Sequence, residues 1–271
     1  MKSKIVASLL VCCFVISASH AQGKLNRAKN DLSGTSSSSS SNSNSNRSTN
    51  NNDDDWGDGV GFFDGVFIEI AYHATIGIFF GEMESRYFYE YPYSDGSHGE
   101  YAYGDEDESI PLKRSQFIVS NTFFTSGKEF YGNDIKLNFR FVPLVGIEAN
   151  HLHFFEDRPK NNLGATSVMI NYYRVREQYV TAFWGVGATH VGNGVDETGF
   201  AYQVGVEVFL KKPYSLSALW KQSLINDSSI DEFKLHARYH LKRLSIHGGY
   251  NHYQLGSVSI NALGFGVDYR F

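Results

Sequence analysis

From about residue 115 to residue 271 one pattern repeats, with apolar or aromatic side chains on one parity and small, polar or charged ones on the other. Ile135, Leu137, Phe139 and Phe141 alternate with Lys136, Asn138 and Arg140. Phe233, Leu235, Ala237, Tyr239 and Leu241 alternate with Lys234, His236, Arg238 and His240, and Leu263 to Phe271 keeps the same rule with Gly264, Gly266, Asp268 and Arg270 opposite. A period of two is that of a strand whose faces meet different surroundings. Ten such stretches are counted, including less regular ones at 115–125, 145–155 and 164–174. Each approaches the roughly 9–11 residues of a tilted membrane-spanning strand.

The connections sort by length. They are tight at 142–144, 174–178, 211–213 and 241–243, and longer and polar at 126–133, 156–163, 190–197 and 225–231, with a brief last one at 254–257. Alternate short and long connections predict an antiparallel up-and-down β-barrel of ten strands with both chain ends on the short-turn side. A soluble sandwich alternates too. Three features favour a membrane barrel: the loop asymmetry, a secretory leader on a mature chain without cysteine, and the aromatic strand ends Tyr179, Tyr214, Tyr239 and Tyr269.

The leader is residues 1–21. Lys2 and Lys4 precede an apolar run from Ile5 to Ile16, and Ser19-His20-Ala21 forms a small-x-small cleavage site, so the mature chain begins at Gln22. Cys12 and Cys13 leave with it, which excludes disulfides and thiolate metal sites. Residues 22–58, rich in Ser, Asn and Asp, read as a disordered tether because they offer almost nothing apolar to bury. No later run approaches 18 apolar residues, so a spanning helix is not expected. A net charge of -5 with no basic tract excludes nucleic acid as the expected partner.

The terminal alternation, ending at Phe271 with Tyr269 two residues before it, resembles the C-terminal assembly signal of Gram-negative outer-membrane β-barrel proteins of the small-barrel type. The resemblance covers 114–271. It implies an outer-membrane location, contact with outer-membrane lipid and lipopolysaccharide, and recognition of Tyr269 and Phe271 by the barrel-assembly machinery. It does not imply an activity, because such barrels include pores, enzymes, adhesins and anchors, and it leaves any surface ligand unspecified.

Residues 59–113 have two readings. "GVFIEIAYHATIGIFFG" and "RYFYEYPYSDG" alternate well enough to add two strands and make twelve. Phe63, Phe67, Ile70, Ala74 and Ile78 have near-helical spacing instead, which favours an extra element at the rim beside ten strands. The acidic "GDEDES" that follows reads as a solvated loop and lacks EF-hand ligand spacing.

Parity assigns Lys136, Arg140, Lys221, Lys234, Arg238 and Arg270 to the lumen with Glu148, Glu207 and Asp268, six bases against three acids. Such side chains fill a narrow barrel as an ion-pair network, or bias an open one toward anions. Ser245 and His247 share that parity, yet no third residue is placed to orient the histidine. His151 with His153, and His236 with His240, are read as lumen-filling hydrogen-bonding groups. No catalytic site, metal site or cofactor is expected. The function expected is a structural, binding or envelope-integrity role; the alternatives are a small anion-biased diffusion channel and a lipid-directed hydrolase.

Overall fold

The computed structural model describes residues 23–34, 87–102, 111–127, 130–158 and 160–271. A helix, α1, spans Lys24–Leu32, and three short strands, β1 (Tyr87–Tyr89), β2 (Tyr101–Ala102) and β3 (Leu112–Lys113), form a small antiparallel sheet in the order β2-β1-β3. Ten long strands follow: β4 (Gln116–Ser126), β5 (Phe130–Val142), β6 (Val145–Glu156), β7 (Asn161–Arg176), β8 (Val180–Val191), β9 (Glu197–Phe209), β10 (Tyr214–Ile225), β11 (Ser228–Leu241), β12 (Leu244–Leu255) and β13 (Val258–Arg270). Each pairs antiparallel with the next, and β13 closes on β4 from Leu263 opposite Thr125 to Arg270 opposite Ile118. The barrel therefore has ten strands. None of the described residues of 59–113 joins its wall.

The wall is inverted relative to a water-soluble protein. Phe265, Ile170 and Val168 are 64%, 57% and 52% exposed, whereas Asn171, Asn251 and Ser223 are completely buried inside. Along β13 and the Phe271 that follows it, outward Phe265, Val267, Tyr269 and Phe271 alternate with inward Asp268 and Arg270. A lipocalin-like barrel places its apolar parity inside; here that parity makes a belt around the outside, an arrangement that water penalises and hydrocarbon favours. Tyr179, Tyr214, Tyr239 and Tyr269 are all exposed. At the same rim Phe271 lies against Phe117 and Tyr269, with ring centroids 5.5 and 4.8 Å apart, and Tyr214 meets Tyr239.

Three expectations change. The connections at 127–129, 157–160, 192–196, 226–227 and 256–257 are nearly as short as those at 143–144, 177–179, 210–213 and 242–243. The loop asymmetry is thus absent, because polar stretches around Asn133, Asn161 and Ser229 stay hydrogen-bonded in the ladders; polarity there marks contact with water, not loss of pairing. Second, the tether expected from residue 22 begins instead with α1, whose Leu25, Ala28 and Leu32 line one helical face and are fully buried. The remainder of 22–58, the leader, the run 59–86 and the acidic loop lie outside the described residues. Third, His151 is on the outer face, where its imidazole meets the Thr166 hydroxyl at 2.9 Å, and its ring centroid is 5.7 Å from that of His153. Both histidines continue the parity of exposed Ile147, so neither fills the lumen, and the His153 ring stacks on that of Phe155 at 4.3 Å.

Candidate functional site: a charged lumen stoppered at both ends

The interior has three zones. At the rim formed by the connections after β4, β6, β8, β10 and β12, the inner wall turns apolar. Phe124, Phe130, Leu152, Phe154, Leu163, Ile225, Ile230 and Tyr253 cluster there with Leu25, Ala28 and Leu32 of α1. The helix starts at Gly23, whose positive φ of 79° suits a residue without a Cβ, and it lacks a side-chain cap of its own. The wall supplies one instead: the Glu156 carboxylate accepts from the backbone N–H of Lys24 and of Leu25, both at 3.1 Å. An anion is stabilising at this end of a helix dipole. At the other end Asn226 donates to the Leu32 carbonyl at 2.8 Å, and the Asp31 carboxylate accepts from the backbone N–H and hydroxyl of Ser257 at 2.9 and 2.6 Å. The end of β6 and two separate connections of the wall therefore hold one helix.

The opposite rim is closed by residues 87–102. Tyr93 is fully buried and donates to the carbonyls of Leu210 and Tyr214 at 3.1 and 2.6 Å. Gly99 donates its N–H to the Gln178 carbonyl at 2.8 Å, and a Cβ there would lie 2.5 Å from the Phe209 ring, so the close approach requires glycine. Beside it Glu100 enters the lumen. Its carboxylate meets Arg140 at 2.7 Å and Arg270 at 3.2 Å and accepts from the Thr181 hydroxyl at 3.0 Å. Burial alone pushes the Glu100 carboxyl up, but Arg140 and Arg270 outweigh it and bring it down to about 2. Arg140 also donates to the Tyr101 hydroxyl at 2.6 Å and lies over the Phe88 ring at 4.6 Å.

Between the stoppers the side chains neutralise one another. Lys234 meets Asp134 at 2.6 Å and Glu232 at 2.7 Å, and Lys221 meets Glu232 at 2.6 Å. Arg238 bridges Asp268 at 3.1 Å and Glu207 at 3.4 Å. Glu148 has no ion pair among the described residues; its carboxylate accepts from the amides of Asn138 and Gln203 at 3.2 and 3.3 Å. Lys136 borders the remaining cavity, about 120 Å³, without a direct ion pair among the described residues. All nine residues assigned to the lumen by parity face it, and three acids join them. Asp134 and Glu232 continue the inward parity of β5 and β11 just before the stretches read as strands, so longer strands would have revealed them. Glu100 comes from outside the wall, where no periodicity points to it. With buried Glu156 and Arg176 included, seven acids face seven bases among the described residues, and the expected positive excess disappears.

Hydroxyls and imidazoles fill the remaining gaps. His247 meets the Asp268 carboxylate at 3.1 Å through Nδ1 and the Thr122 hydroxyl at 2.9 Å through Nε2, while His240 sits between the hydroxyls of Ser215 and Ser245, each at 2.8 Å. Ser245 and His247 thus serve different partners. The Thr122–His247–Asp268 set has the composition of a hydrolytic relay, but it is buried in the bore behind the two stoppers, as are His240 and its two serines.

No protein-family model and no curated protein matches the chain. Among solved structures it is similar to the N-terminal β-barrel domain of Pseudomonas aeruginosa OprF, at 9% identity and a TM-score of 0.31, covering 58% of this chain and 98% of that one. It is also similar to Yersinia pestis Ail in a phospholipid bilayer nanodisc, at 16% identity and a TM-score of 0.33, covering 58% and 99%. A third is an outer membrane channel from Pseudomonas putida F1, at 9% identity and a TM-score of 0.37, covering 63% and 99%.

Proposed function

We propose that this chain is an outer-membrane β-barrel whose bore is closed in the resting state, with a structural, binding or envelope-integrity role and no catalytic site. The observation that carries the reading is the pairing of an apolar outer belt with a polar lumen stoppered at both rims. A closed sheet is what hydrocarbon demands, since it leaves no wall edge of unpaired backbone groups. Closure by α1 and by residues 87–102, together with balanced lumen charge, favours this reading over the anion-biased channel. On the outer face, His151, His190 and His252 meet Thr166, Thr198 and Asn261, and none of these pairs includes the carboxylate that a lipid-directed hydrolase would use to orient its histidine.

In this reading Tyr269 and Phe271 are the assembly signal, lipid and lipopolysaccharide surround the belt, and the barrel-assembly machinery inserts the chain. Two measurements test it. The folded protein should leave membranes only with detergent and show no steady conductance in planar bilayers. Solubility in plain buffer would sink the membrane reading, and stable channels would sink the closed state. Deletion of Phe271 should lower the amount of protein assembled in the outer membrane.

A further inference from the structure

The two stoppers belong to one stretch of chain that precedes the barrel, yet they occupy opposite rims. Residues 23–34 are bound by Glu156, Asn226 and Ser257, all at or beside connections on the rim remote from Phe271. Residues 87–102 are bound by Gln178, Leu210, Tyr214 and Arg243, on the rim where β4 starts and β13 ends. The bore between them is occupied at mid-height by Lys221, Glu232, Lys234 and Asp134. The two described segments are therefore held at opposite ends of the bore.

Resting on the membrane-spanning reading above, we infer that α1 lies on the opposite side of the membrane from residues 87–102. A ten-strand barrel with a simple leader would keep its whole N-terminal region on the side of its own first and last strands. Here the contacts at the far rim are too specific for incidental contact: a wall carboxylate caps the helix start, a wall amide caps its end, and the three apolar residues of its inner face are fully buried. The outward face of α1, with exposed Asn26, Arg27 and Asn30, is then presented to the medium on the side of the β10–β11 connection.

Cysteine labelling tests this directly, because Cys12 and Cys13 are the only cysteines and serine can replace both. Four exposed positions suffice: Asn30→Cys on α1, Asp227→Cys at the rim beside it, Ser97→Cys in the second stopper, and Lys211→Cys at the opposite rim. Intact Gram-negative cells expressing each variant are treated with a membrane-impermeant maleimide, and the reaction is repeated after lysis. We expect Asn30→Cys and Asp227→Cys to label in intact cells, and Ser97→Cys and Lys211→Cys only after lysis; the same two-by-two grouping with the sides exchanged supports the inference equally. Asn30→Cys grouping with Ser97→Cys and Lys211→Cys, apart from Asp227→Cys, overturns the inference and leaves the spanning reading intact. Equal labelling of Asp227→Cys and Lys211→Cys in intact cells overturns both.

Discussion

The Glu100 carboxylate lies 2.7 Å from the Arg140 guanidinium although the two residues belong to different parts of the fold, one to a segment that closes the bore and the other to the barrel wall. Arg270, at the end of the last strand, meets the same carboxylate. Replacing Glu100 by Gln keeps the shape and removes the charge, leaving two buried guanidiniums short of a partner. Breaking a buried pair in this way costs about 3–5 kcal/mol. The E100Q variant should show lower stability in urea titrations in detergent, together with earlier proteolysis of residues 87–102.

The same carboxylate sets a pH window. Its folded value, about 2, is below its ordinary 4.5, so its contribution is complete above pH 4.5 and is lost as pH falls from there toward 2. Closure of that rim should hold at pH 5 and weaken progressively below pH 4.5. Pepsin cleavage within 87–102, followed by mass spectrometry from pH 4.5 down, should reveal the loss, and E100Q should flatten the profile.

At the other rim, Leu25→Ala removes one of two leucines that α1 buries in the barrel mouth. A large-to-small change at a buried leucine costs about 2–5 kcal/mol. Because α1 is not part of the wall, the expected result is release of the N-terminal segment to protease while the barrel keeps its heat-resistant migration in gels. Simultaneous loss of barrel migration would show that the helix is integral to the wall.

On the belt, Ile170→Arg places a charge where the side chain is more than half exposed to the surroundings. If those surroundings are hydrocarbon, the penalty is about 2–4 kcal/mol near mid-membrane. Unfolding from lipid vesicles should register it, whereas a water-facing position would tolerate arginine.

The barrel was legible in the sequence because a strand's period is local: each residue's face follows from its neighbour's. Polarity within that pattern also predicted the lumen set from Lys136 to Arg270. What escaped were features that depend on distant segments. Glu100 gains its role only when its own segment reaches Arg140, and Leu25, Ala28 and Leu32 are too few to stand out ahead of a long Ser/Asn tract. The connections look longer in the sequence because polar residues resemble turns, whereas Asn133 and Asp134 simply carry strand β5 beyond the belt. His151 and His153 escape for a related reason, since a histidine on the outer parity looks anomalous until the belt is seen to stop below it.

Strand β4 ends at Ser126, so the pairing that shuts the cylinder begins only at Leu263, and Val258 to Ala262 rise past their neighbour on that side. Among the described residues the seam is therefore shorter than the strand that forms it. Unzipping of the cylinder should begin at this seam, and amide deuteration should enter there first.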